Sequence, residues 1–112
     1  MHELGIVIQV VETIEKIFKE QNLTKVDKLV LEIGEASGVV PHYIEDVYPI
    51  AIEQSFLKDM KLEMIIIPAE GVCECGEIYN LMKYNGICPK CSSKKFSVTS
   101  GREFNIKEIV AY

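Results

Sequence analysis

Four cysteines crowded into one short stretch constrain this chain most: Cys73 and Cys75 in the run CECG, and Cys88 and Cys91 in the run CPKC, with twelve residues between the pairs. At 112 residues the chain has room for one domain, or one domain with a small appendage. A segment of roughly 30 residues cannot bury enough apolar surface to fold unaided and needs a staple. Two close pairs on facing turns supply four soft donors at tetrahedral corners, the shape that zinc takes with Zn–S bonds of about 2.3 Å. Gly76 allows a positive φ beside the first pair, and Pro89 presets φ inside the second.

Other chemistries use the same four residues. Two disulfides, a redox dithiol at Cys88-Pro89-Lys90-Cys91 and rubredoxin-type iron all remain open on spacing alone. The start of the chain has no basic region, apolar core and cleavage site in succession, so a cytoplasmic location is expected. In that reducing compartment paired cysteines more often hold a metal. The dithiol reading also lacks a preceding strand and leaves the other pair unexplained. Structural zinc is therefore the expectation for Cys73, Cys75, Cys88 and Cys91. A closed four-cysteine shell keeps no open position for catalysis, and no HExxH run suggests a metallohydrolase.

Charge divides the chain along the same lines. Residues 1–69 carry 6 Lys and 12 acids, residues 70–102 carry 5 Lys or Arg and 3 acids, and residues 103–112 carry one Lys and 2 acids. These give −6, +2 and −1, which sum to the formal −5. An acidic body thus surrounds a mildly basic, cysteine-bearing insert. That balance disfavours DNA or RNA as a partner, since affinity would rest on very few cations. A zinc-ribbon module that binds protein or nucleic acid is the alternative that the cysteines alone leave standing. A membrane is not an expected partner, because no run approaches about 18 apolar residues.

Periodicity supplies the rest of the frame. Val7, Val10, Val11, Ile14, Ile17 and Phe18 recur at helical spacing, which predicts an amphipathic helix from Leu4 to Phe18 that ends near Asn22. Over Lys25–Ile33 the period changes: Leu29, Leu31 and Ile33 alternate with Lys28, Val30 and Glu32, as in a strand with one buried face. Gly34 and Gly38 bracket a turn in which Glu35 reads as a solvent-facing acid. Pro41 opens a second helix to about Gln54, with a kink or break expected at Pro49. Lys61–Ile67 and Glu103–Val110 read as further strands. Between the cysteine pairs, Ile78–Gly86 could form two short strands around Asn85-Gly86. The expected fold is α+β: a small three-stranded sheet packed with two helices, plus an inserted zinc-ribbon-like domain with a four-cysteine site. The body would comprise 1–69 and 103–112, and the insert 70–102.

The chain begins Met1-His2-Glu3. A histidine beside a start methionine usually has no special role. Its chemistry, however, merits attention. The Met1 α-amine, the His2 amide and the His2 imidazole can close adjoining chelate rings, and Glu3 could add a further donor. Nitrogen donors in a planar array suit Ni²⁺ or Cu²⁺ better than zinc.

Taken together, the Met1-His2-Glu3 start, the stretch LEIGEASGV at Leu31–Val39 and the late cysteine pairs resemble the HypA/HybF family of hydrogenase-maturation nickel metallochaperones. The resemblance spans essentially the whole chain. It implies a nickel carrier and not an enzyme, with transported Ni²⁺ on the Met1 amine, His2 and the Glu3 backbone amide, and with structural Zn²⁺ in the insert. It also implies as partners a HypB-type GTPase and the large subunit of [NiFe]-hydrogenase, and in some members proteins of urease maturation. Two departures stand out. The first cysteine pair has a one-residue spacer where the family usually has two. Val40 also stands where some members place a nickel-binding aspartate, with His42 the nearby substitute if one is needed. The simpler reading of His42 is an exposed histidine opening a helix.

Overall fold

The structure, a computed structural model, describes residues 2–112. Helix α1 (Glu3–Glu20) leads into strand β1 (Val26–Gly34), helix α2 (Pro41–Ile52) and strand β2 (Lys61–Ile67). Then come β3 (Glu70–Cys73), β4 (Ile78–Asn80), β5 (Phe96–Ser100) and β6 (Phe104–Ala111). Two three-stranded sheets result, ordered β2-β1-β6 and β4-β3-β5.

In the first sheet β1 is central, parallel to β2 and antiparallel to β6. A parallel neighbour requires a crossover, and α2 provides it. One face of α1 (Val7, Val10, Val11, Ile14) and one of α2 (Ile44, Tyr48, Ile52) meet Leu29, Leu31 and Ile33 of β1 to form the main core. The periodic positions named from the sequence thus do the packing. Tyr48 is the one hydroxyl in this core. It donates to the Met60 carbonyl at 2.7 Å, and burial pushes its pKa up to about 12. Asn22 adopts a left-handed φ of 52°, consistent with its place after α1.

Three local expectations need correction. First, β1 is not buried on one face only, because Val30 is as inaccessible as Leu29. Its neighbours in register are Glu63 of β2 and Glu108 of β6, so it sits on a central strand with a paired strand on either side. Second, of the kink or break expected at Pro49, the break does not occur: α2 runs on to Ile52. Pro49 and Glu45 are both exposed, so the carbonyl that lacks its usual donor can turn to water. Third, Ile78–Gly86 yields one strand, not two. Asn85 and Gly86 do turn, with φ of 52° and 76°, but the chain then enters the Cys88 turn. The partner of β4 is β3, which begins before the first cysteine.

The radius of gyration is 17.5 Å and the extents are 54 × 27 × 16 Å. A compact chain of this length would have a radius near 13 Å, roughly. The two sheets are therefore laid out along the long axis, and the chain passes between them at Pro68–Ala69 and at Gly101–Glu103.

Candidate metal centre

Cys73 ends β3, and the following turn is held by Cys73 N donating to the Glu77 carbonyl (2.8 Å) and Gly76 N to the Cys73 carbonyl (2.8 Å). Gly76 has φ of 93°, the left-handed value that its position suggested. The second turn repeats this plan. Cys88 N donates to the Ser93 carbonyl and Ser92 N to the Cys88 carbonyl, each at 2.9 Å, while Lys90 N points at the Cys88 sulfur (3.4 Å).

These turns bring all four Sγ atoms within 4.8 Å of one another. The close pairs cross between the turns: Cys73 to Cys91 at 3.4 Å and Cys75 to Cys88 at 3.7 Å. Four sulfurs at about 2.3 Å from a tetrahedral ion lie about 3.8 Å apart, so these close pairs match that shape to within a few tenths of an ångström. Cys73 and Cys88 are buried, while Cys75 and Cys91 face solvent.

Electrostatics favour the same ion. Burial alone would raise the Cys88 thiol. Amides of Cys91 and Lys90 and thiols of Cys73 and Cys75 outweigh it, bringing Cys88 down to about 7. The Ser93 amide favours the Cys91 thiolate, but Cys73, burial and the other two sulfurs prevail and push it up to about 12. The Cys75 amide and the Cys91 thiol favour the Cys73 thiolate, but burial and the Cys75 and Cys88 sulfurs prevail and raise it. The Cys88 thiolate thus forms readily, while those of Cys73 and Cys91 are opposed. A divalent cation removes that opposition, so the donor set fits structural Zn²⁺. The one-residue spacer between Cys73 and Cys75 does not prevent convergence.

The amino terminus is built differently. Met1, whose amine is one of the expected nickel donors, lies outside the described residues. His2 is exposed and precedes α1, its carbonyl accepting from Ile6 N at 3.0 Å. Glu3 is only 6% exposed. Its carboxylate accepts from His2 N (3.2 Å) and from Val40 N (3.3 Å). Its own amide leads the causes that lower its pKa, followed by that of Val40. A carboxylate in a first helical turn faces unpaired amides and the positive end of the helix dipole. That rule could have found this role from the sequence, where Glu3 read only as a further metal donor. His42 is exposed, with Nε2 3.5 Å from Asp46 Oδ2 one turn on. Among the described residues, the four cysteines are the one group of three or more metal-ligating side chains.

A second role went unseen. Glu35 is exposed, yet its Oε1 accepts from Ala69 N (2.8 Å) and Asn80 Nδ2 (3.2 Å), tying the turn after β1 to the insert. Nothing in a lone acid after Gly34 reveals a partner 45 residues away.

The fold and site define a class: a small α+β protein whose zinc-ribbon-like insert is stapled by a four-cysteine metal centre. Within that class, the family described as hydrogenase/urease nickel incorporation metallochaperone, hypA, matches residues 1–111. The hydrogenase maturation factor HypA of Geobacter metallireducens is 34% identical over 110 residues, and that of Prosthecochloris aestuarii 33%; each alignment covers 97% of both chains. The solution structure of the Ni metallochaperone HypA from Helicobacter pylori superposes with a TM-score of 0.68 at 26% identity, covering 99% of this chain and 97% of that one. A second solution structure of a HypA protein gives 0.70 at 27%, covering 100% and 97%. The chain belongs to the HypA family of nickel metallochaperones for hydrogenase maturation.

Proposed function

We propose that this protein carries Ni²⁺ at its amino terminus, on the Met1 α-amine, the His2 imidazole and the Glu3 backbone amide, and performs no chemical turnover. The observation that carries this reading is the asymmetry at residues 2 and 3. The His2 side chain is exposed, while the Glu3 carboxylate beside it is already occupied by backbone amides. A terminal site with few side-chain donors suits a carrier, because a recipient can displace those donors one at a time. Val40 offers no ligand, and His42 already faces Asp46.

The insert, residues 70–102, serves as a zinc-stapled domain on a body made of 1–69 and 103–112. Its role is structural, because a filled four-cysteine shell has no vacancy for cargo. No described helix is long and apolar enough to cross a membrane. We assign the protein to the cytoplasm, with a HypB-type GTPase and the large subunit of [NiFe]-hydrogenase as partners, and urease maturation proteins as a further outlet.

The decisive test is a nickel titration of the zinc-loaded, untagged chain with its native terminus. His2→Ala, or an added residue that blocks the amine, should abolish nickel binding and leave zinc content unchanged. Unaltered nickel affinity in both variants would overturn the assignment.

A further inference from the structure

Three segments meet where the two sheets join: the end of β1, the β2–β3 passage and the β5–β6 passage. Gly34 N donates to the Glu103 carbonyl (2.7 Å), Glu35 N to the Ile67 carbonyl (2.9 Å) and Ala36 N to the Gly101 carbonyl (2.7 Å). Ser100 Oγ adds a bond to the Pro68 carbonyl at 2.9 Å. There is no spare room. A Cβ on Gly34 would overlap the Gly101 carbonyl, and one on Gly101, whose φ is 100°, would overlap the Ala69 backbone. Ala69 itself is fully buried.

Those backbone contacts align the passages but leave the insert's own sheet to be held. Glu35 reaches it. Through the single oxygen Oε1 it takes the Ala69 amide and the Asn80 side-chain amide. Asn80 closes the turn after β4, its Oδ1 accepting from Met82 N (3.0 Å) and Lys83 N (2.8 Å). One carboxylate oxygen therefore connects the body to both the root of the insert and one of its turns.

The same loop ends at the amino terminus. Between Gly34 and Val40 six of seven backbone amides are bonded: those of Gly34, Glu35, Ala36, Ser37, Val39 and Val40. Ser37 N donates back to the Gly34 carbonyl, Val39 N to Ser37 Oγ, and Val40 N to the Glu3 carboxylate. A loop bonded at nearly every residue has few conformations left to absorb a displacement at one end.

We propose that Glu35 is a positioning residue: its Oε1 locks the zinc-stapled insert onto the body and, through the 34–40 loop, sets the contact between Val40 and Glu3 that holds the first turn behind His2. Its part is that of a hydrogen-bond acceptor, not of a metal ligand or a charge. The consequence for nickel rests on the amino-terminal reading above; the lock itself does not.

The test uses the full-length, zinc-loaded chain with its native terminus, comparing wild type with Glu35→Ala and Glu35→Gln. Backbone amide exchange at Ala69 and Val40, zinc content and nickel affinity are the readouts. In Glu35→Ala, exchange at Ala69 and Val40 should accelerate by about fivefold or more, the equivalent of one net hydrogen bond. Nickel affinity should fall by a similar factor while zinc stays at one per chain. Glu35→Gln keeps an oxygen that accepts both bonds, and should stay within about twofold of wild type in every readout. Should Gln behave like Ala, the carboxylate charge matters and the acceptor role is wrong. Unchanged Val40 exchange in Glu35→Ala would show that the loop transmits nothing. If His2→Ala also leaves nickel affinity intact, the nickel reading fails, and the exchange data still decide the lock.

Discussion

At the cysteine cluster, four donors from two turns converge within 4.8 Å, and backbone bonds inside each turn hold them in place. At the amino terminus, one exposed imidazole stands at the start of a helix, and the neighbouring carboxylate is bonded to amides. The first arrangement encloses its ion, and ion and fold then depend on each other. The second leaves its imidazole open to water and to other proteins. A protein that keeps one metal and passes on another needs both kinds of site, at places where loss of the cargo costs the fold nothing.

Removing zinc should have the largest effect. Apparent binding free energies for structural zinc in small modules are about 10–16 kcal/mol, and in such modules that energy is folding energy. Chelation, or Cys88→Ser, should therefore collapse residues 70–102, visible as loss of dispersed amide resonances there. The body is affected less. Disordering the segment between β2 and β6 turns it into a flexible loop whose closure costs about 3 kcal/mol. Resonances of α1, β1 and α2 should persist at moderate temperature. Simultaneous loss of both sets would show that the acidic body depends on the staple, and would erase the contrast between the two sites.

His2→Ala should break the other side. Even outer-shell partners of a metal commonly contribute about 10- to 100-fold in affinity, so loss of a direct donor should weaken nickel binding by more than about a hundredfold. Thermal stability should not change, because the His2 side chain is exposed. A calorimetric nickel titration beside a melting curve separates the outcomes. A variant that melts early would mean that His2 packs, which its exposure speaks against.

Much of this contrast was legible in the sequence. The cysteine spacing, the face of α1 from Val7 to Ile14, and the limits of β2 at Lys61 and Ile67 were all read correctly, because each depends on local period or on chemistry that few residue types supply. The junction was not legible. Glu35 looked like any turn acid, and Val30 like any outward residue of an alternating strand. Their settings come from segments 33 to 78 residues away: Ala69 and Asn80 for Glu35, Glu63 and Glu108 for Val30. Local pattern carries no record of such partners. Ile78–Gly86 failed for the same reason, since β4 pairs with a strand that begins before the first cysteine.

Between the two sites, the junction offers a test of smaller size. Gly34→Ala would drive a methyl into the Gly101 carbonyl, which is backbone and cannot rotate aside. Overpacking of this kind costs about 1–3 kcal/mol. The urea midpoint should fall accordingly, with zinc still bound at one per chain. Gly38→Ala is the control. No atom lies within 4 Å of its would-be Cβ, so only the strain of its φ of 83° applies, about 1–2 kcal/mol.

The smallest effect belongs to Glu103, at the passage back into the body. Its own amide leads the causes that hold its pKa below the usual carboxylate value, followed by the Gly101 amide, to which Oε1 is bonded. A lowered folded-state pKa means that ionised Glu103 stabilises the fold above the unfolded value of about 4.3, and that this contribution disappears as pH falls through the lower folded value. Glu103→Gln removes the titration while keeping an oxygen for Gly101. Wild type should be the more stable of the two near neutral pH, and the gap in urea midpoint should close as pH is lowered from about 6 to about 3. Zinc release in acid affects both chains through identical cysteines, so it drops out of the difference. A gap that stays constant over that range would mean that the junction depends on the shape of this side chain and not on its charge, as proposed for Glu35 one strand away.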